Sequence, residues 1–426
     1  MNKIKPGLER FREYRDRIKS FIDGIKASPE PNPVLIKFFE LIYENDCKTV
    51  DCIENDKPLL SSWYGNAPEI YAAMGLHYYC VVDNMLAHQA FTDDLEKTAL
   101  TDIPTDMCSL IKVGAYAVEN GLAPIPSAMI AMLEPCDAQS ALHEAWLNSD
   151  DWAHIDTYAL DPSYGSTDED WSYFVKELKG LIAFLEQKFN LKLDVDRLRE
   201  IVEVTNQQYE ALAEYMEYRR ALPCPHPSFM GSKLGWPITQ HIAAGNPGTV
   251  EVFKMLSYDA EQKVKAGIGA VPNEKIRCAW TDLIPTWADE YAEFLATECN
   301  ANIVTDFQCL TPYEHIDTST LDTMLTGLAK RNLSEVPMIR QARGNIDIML
   351  QDITQMVTEF NCNCVIFSGH VGHKDQSASI GFVKELCKDL GVPLLVLTVD
   401  NFDLSYTPME VIKQKTLTFF NAHGLL

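Results

Sequence analysis

Residues 363–400 read NCVIFSGHVGHKDQSASIGFVKELCKDLGVPLLVLTVD. A β-rich run, a glycine-containing loop, an amphipathic helix closing at Gly391 and a second β-rich run make one βαβ crossover, which joins parallel strands. Open parallel sheets bind ligands outside the carboxyl ends of their strands, so residues 368–376 and those after Asp400 are where chemistry is expected. There His370 and His373 stand three residues apart, with Gly369 and Gly372 giving backbone freedom. Imidazoles so placed can ligate metal or move protons, and can equally be solvated loop residues.

Working outward, NANIVTDF (300–307) predicts a strand and IDIMLQDITQMVTEF (346–360) a helix. The stretch ALPCPHPSFMGSKLGWP (221–237) carries four prolines and two glycines with no clear period, which places a domain junction there. Before it, two long amphipathic helices between Tyr173 and Arg220 are separated by NLKLDVD, with Asp194 as N-cap, and form a bridging segment. LLSSWYG (59–65), PEIYAAMG (68–75) and HYYCVVD (77–83) give a further strand, helix and strand, and IPSAMIAMLEP (125–135) another buried strand or short helix. Phe11, Tyr14, Ile18, Phe21 and Ile22 recur at helical spacing in an outer arm. The expected organisation is α/β: a helical arm over 1–56, a first α/β domain with bridging helices over 57–235, and a second over 236–426.

Of 426 residues, 46% are hydrophobic and 23% charged, as in an ordinary folded globular chain. A formal charge of −25 argues against nucleic acid or an anionic membrane as partner, since both need a basic surface. A phosphate-bearing ligand would need a local basic pocket, for which Lys254, Lys263, Lys265, Arg277, Arg340 and Arg343 are available. The amphipathic opening has no apolar leader and no stretch reaches membrane-span length, so a cytoplasmic protein is expected. Its twelve cysteines are then reduced thiols serving as core residues, metal ligands or reactive groups. The chain shows no GxGxxG after a strand, no Walker loop and no nucleophile-elbow serine.

Cys108 and Cys136 each open a helical segment, in PTDMCSLIKVGAYA (104–117) and LEPCDAQS (133–140). A helix start carries partial positive charge and free amide protons, which lower a cysteine pKa and bond to sulfur. Two such positions point to iron-sulfur ligation more than to packing. Zinc fits less well: close C-x₂-C pairs are absent, and Cys47 with Cys52, like Cys362 with Cys364, reads as structural.

Taken together, SSWYGNAPEIYAAMG (61–75), VVDN (81–84), the two cysteine segments, HVGHK (370–374) and VPLLVLTVDNFD (392–403) resemble the 2-hydroxyacyl-CoA dehydratase and benzoyl-CoA reductase family. The N-terminal arm is most similar to the large-subunit branch acting on lactoyl-CoA. The resemblance implies two Rossmann-like parallel-sheet domains holding a [4Fe-4S] cluster by three cysteines, a smaller homologous beta subunit, and an ATP-hydrolysing iron-sulfur activator protein. It leaves a flavin open.

Cys108 and Cys136 match the first two ligand positions, whereas His373 stands where the family has its third cysteine. Three outcomes follow: His373 ligates iron, another side chain such as Cys309 reaches in, or substrate or water fills the place; His373 is the expected ligand. The implied reaction removes water from a (R)-2-hydroxyacyl-CoA whose β hydrogen is barely acidic. General bases supply only roughly 10²- to 10⁴-fold. The family solution is a ketyl radical formed by one recycled electron. By the same resemblance Ser61 and Ser62 contact substrate, and Asp83 with Asn84 matches a Glu-Asn pair near the active site. Two rival readings remain: an ATP-driven acyl-CoA reductase or electron-transfer subunit, and a cluster-free substrate-binding subunit.

Overall fold

The computed structural model describes residues 5–426 apart from 64, 83–94, 96, 99–103, 105, 241, 311–313 and 344–345. Two four-stranded sheets, each wholly parallel, form the frame. The first contains β1 (Leu59–Ser61), β2 (His77–Tyr79), β3 (Ala128–Met132) and β4 (Thr157–Leu160) in the order β2-β1-β3-β4. The second contains β5 (Ile276–Thr281), β6 (Ala301–Asp306), β7 (Cys364–Phe367) and β8 (Leu394–Val396) in the order β6-β5-β7-β8. The orders are the same, so the expected pair of Rossmann-like domains is present. In each sheet the crossovers change direction between the first and third strands, leaving a crevice at their carboxyl ends.

Strands flanked by helices on both faces must be apolar on both faces. Accordingly β3, β5, β6 and β7 are buried along their whole length. Alternate residues feed different cores: Leu60, Ala128, Ile130 and Met132 pack on one face of the first sheet, Leu59 and Met129 on the other.

The expected local elements form, with two differences. The helix closing at Gly391 is broken at Ser379 into Lys374–Ala378 and Ile380–Asp389, and His373 caps the first piece. The proline-rich junction contains a helix, Met230–Gln240, with Pro237 inside it. Leu234 and Ile238 anchor that helix in the large core under the second sheet, so tertiary burial outweighs the missing backbone donor. Asp194 caps Val195–Arg219 as expected, accepting from the Arg197 amide at 2.9 Å.

Three straps bind the two sheets into a common frame. The N-terminal helices Leu8–Lys26 and Pro33–Glu54 place Phe11, Tyr14, Val50 and Ile53 beside the first sheet, but Ile18, Ile22, Phe38 and Leu41 in the core of the second. Helix Val195–Arg219 does the same with Leu198 and Ile201 at one end and Leu212 and Tyr215 at the other. After β6 the chain crosses back, and Met324, Leu325, Leu328 and Leu333 complete the core of the first sheet. Among the described residues no helix is long and apolar enough to cross a membrane.

Arg219 fastens the bridging helix to β6. Its guanidinium is buried and donates to the carbonyl oxygens of Ile303 and Val304 at 2.9 Å each, and to those of His226 and Pro227 and the Tyr215 hydroxyl. Arg219→Met leaves these acceptors unpaired and is expected to destabilise the protein by about 3 kcal/mol or more, with Arg219→Lys intermediate because it loses the planar fork. Urea unfolding midpoints check this; a wild-type midpoint for Arg219→Met would show the clamp to be idle.

Candidate functional site at the facing sheet ends

The carboxyl ends of the two sheets open onto one cavity of about 170 Å³. Trp63 reaches it just beyond β1, Pro135 and Cys136 beyond β3, and Leu283 and Ile284 beyond β5. Gly372 and His373 come from the loop after β7, and Phe402 follows β8. Met338 completes the wall with a left-handed φ of 67°, held by a 2.7 Å hydrogen bond from its amide to Gln341 Oε1. Left-handed backbone is uncommon for a residue with a side chain and concentrates at functional sites.

Cys108 is the N-cap of helix Ser109–Glu119, and the second domain closes directly on it. A Cβ on Gly372 would lie 2.4 Å from Cys108 Cβ and 2.7 Å from its Cα, so only glycine permits the approach. His370 Nδ1 accepts from the Asn401 amide at 3.1 Å, which puts the ring proton on Nε2; that N–H points at Cys108 Sγ, 3.2 Å away. Burial lowers the His370 pKa to about 4, so the ring is neutral and its 3.8 Å approach to Asp400 is not an ion pair. Asp400 instead accepts from the Ser109 hydroxyl at 2.8 Å and the Ser109 amide at 3.3 Å, placing a carboxylate at the positive end of the Cys108 helix.

Cys136 caps the facing helix Asp137–Leu147, and its sulfur accepts from the Gln139 amide at 3.3 Å. Both cysteines are helix N-caps, as the sequence predicts, yet neither thiol is acidified. Burial pushes Cys136 up to about 11 and Cys108 well above the ordinary thiol value, the nearby Asp400 adding to the rise at Cys108. The helix amides pull in the expected direction at both sites but are outweighed by desolvation.

His373 donates from Nδ1 to Asp282 Oδ1 at 2.8 Å, and Asp282 also accepts from the Ser368 hydroxyl at 2.8 Å. Burial pushes the Asp282 carboxyl up, but His373 more than offsets it and the pKa ends below the ordinary value. Burial likewise pulls His373 down, and Asp282 carries it above the ordinary imidazole value. A carboxylate on one nitrogen fixes the ring and leaves Nε2 as the nitrogen to offer a ligand, the usual arrangement around a metal-binding histidine.

The structure therefore brings Cys108, Cys136 and His373 to one cavity. They do not form a closed ligand group: among the described residues no set of three or more cysteine, histidine or acidic side chains is arranged to hold a metal ion. Cys309 packs in the core below the second sheet and is not among the cavity-lining residues. Ser61 ends β1 and Ser62 follows it, with Ser62 Oγ 2.6 Å from the Tyr71 hydroxyl; both are buried and neither is among the cavity-lining residues. Asp83 and Asn84 fall outside the described residues. Cys47 and Cys52 lie on one N-terminal helix, while Cys364 sits in β7 with its sulfur 3.5 Å from Cys278. Asp282, Asp400 and the contact of His370 with sulfur were missed from sequence; the signal was the first acid after β5 and after β8, TD at 281–282 and VD at 399–400.

Residues 65–421 match the family of the 2-hydroxyglutaryl-CoA dehydratase D-component. The chain belongs to that family. The match takes in Cys108, Cys136 and His373 and covers more than four-fifths of the chain, so the chain is a component of a 2-hydroxyacyl-CoA dehydratase. No curated protein matches the sequence.

The contact at Gly372 is testable. Gly372→Ala is expected to destabilise the protein by about 1–3 kcal/mol and to speed alkylation of Cys108, because the loop must leave the helix start. Gly381→Ala, where an added Cβ meets nothing within 4 Å, is the control and should be neutral or slightly stabilising. Thermal unfolding with mass-spectrometric labelling reads both; equal behaviour of the two variants would contradict the packing.

Proposed function

We propose that this chain is the larger subunit of an oxygen-sensitive, iron-sulfur (R)-2-hydroxyacyl-CoA dehydratase that converts lactoyl-CoA to acryloyl-CoA. It works in the cytoplasm with a smaller homologous subunit and an ATP-hydrolysing iron-sulfur activator. The observation that carries the reading is the meeting of Cys108, Cys136 and His373 on one cavity between facing sheet ends. The donor set suits a [4Fe-4S] cluster: two sulfurs at helix starts, and an imidazole whose other nitrogen is held by a buried carboxylate. When bound, the cluster supplies the thioester with a single low-potential electron, which renders the β hydrogen removable.

The chain's own groups have separable tasks. Cys108 and Cys136 would hold the cluster through sulfur and His373 through Nε2. The His370 N–H bonds Cys108 sulfur and would favour its charged, ligating form. Trp63, Leu283, Met338 and Phe402 give the cavity apolar walls that exclude water. Asp83 and Asn84 are the proposed handlers of the proton and leaving hydroxyl, and the family resemblance assigns Ser61 and Ser62 to substrate contact. The lactoyl assignment rests on the resemblance of the N-terminal arm.

Loss of water from lactoyl-CoA is redox-neutral. Anaerobically purified complex given activator, ATP and reductant is expected to form acryloyl-CoA over many turnovers while consuming far less than one electron per product. Cys136→Ser should cut turnover by roughly 100-fold or more. Electron consumption in proportion to product would assign a reductase instead. Full activity in Cys136→Ser would place the reacting centre in the partner subunit.

A further inference from the structure

Gln376 is 2% exposed, yet neither its Oε1 nor its Nε2 has a hydrogen-bond partner among the described residues. It lies on helix Lys374–Ala378, whose N-cap is His373, and both residues line the same cavity. It lines the cavity between the sheet ends and also a second one of about 180 Å³, with Ala342 and Asp375 as the other shared wall residues. The second cavity is lined by Ile346, Met349, Ala378 and Phe382, and Phe382 is exposed at the surface. A buried carboxamide with two donors and an acceptor left unpaired carries a desolvation cost that a ligand with the complementary groups removes.

We propose that Gln376 is the residue that recognises the 2-hydroxy thioester: Nε2 donates to the thioester carbonyl while Oε1 accepts from the α-hydroxyl, with the thioester's flexible stem leaving through the apolar side cavity. This rests on the acyl-CoA reading above. In a 2-hydroxyacyl thioester an acceptor and a donor stand on adjacent carbons. A carboxamide presents a donor and an acceptor on one carbon, so both bonds form together. A thioester without the hydroxyl can use only one of them and leaves Oε1 unpaired, which is how a polar site rejects an analogue lacking its partner.

The experiment uses the anaerobically purified complex without activator, so that no turnover occurs, and measures equilibrium binding of lactoyl-CoA and propionyl-CoA. Wild type should prefer lactoyl-CoA. Gln376→Met, close in volume but without the amide, should bind lactoyl-CoA roughly 5- to 10-fold more weakly while propionyl-CoA changes much less. If Gln376→Met does not fold, Gln376→Glu, which keeps an acceptor and loses the donor, must also weaken lactoyl-CoA binding. An unchanged lactoyl-to-propionyl ratio in a folded variant of wild-type iron content overturns the role of Gln376 and leaves the dehydratase reading standing. Failure of the wild type to bind either thioester overturns the acyl-CoA reading itself.

Discussion

The site depends on one contact: the backbone of Gly372 lying against Cys108, with no room between them for a methyl group. Around it His370 bonds the sulfur, Asp400 faces the helix start and Lys374 pairs with Asp106 at 2.8 Å. All of these partners in the second domain come from the segments just after β7 and β8, and all of their targets lie at or beside the start of helix Ser109–Glu119. Without that seam the two crevices would be separate. With it, Cys108, Cys136 and His373 line one cavity.

The seam is held from a distance. The N-terminal helices, the bridging helix and the segment crossing back after β6 each bury side chains against both halves. Arg219, Arg277, Arg340 and Arg343 are engaged inside this frame: Arg277 with Glu274 and the Phe360 carbonyl, Arg340 with Asp352, Arg343 with Ser163 and Ser166. Three of the six basic candidates for phosphate binding are therefore structural. Lys263 and Lys265 pair with Asp259 and Glu261, and Lys254 shares a surface groove with Lys263. On the function proposed above, phosphate recognition would fall to such lysines or to a second subunit.

Much of this was legible in sequence because parallel strands and capped helices leave local marks. The run 363–400 showed its crossover through apolar runs and Gly391, and Cys108 and Cys136 showed as helix starts through the lead-ins before them. What stayed hidden is long-range. No local pattern says that Leu325 and Leu328 pack on a sheet more than 160 residues earlier, or that Asp400 answers Ser109. Burial also reversed a local inference: the helix start does favour thiolate at Cys136, but enclosure takes its pKa to about 11. Pro237 misled in the same way, because core packing supports a helix that propensity alone would end.

On the function proposed above, this chain holds its own cluster, with His373 as a ligand beside Cys108 and Cys136. Iron and acid-labile sulfide per complex, measured after strictly anaerobic purification with the proposed smaller subunit, test it most directly. About eight irons, two clusters of four, are expected. About four, with none lost in Cys108→Ser, would assign the metal to the partner and contradict it.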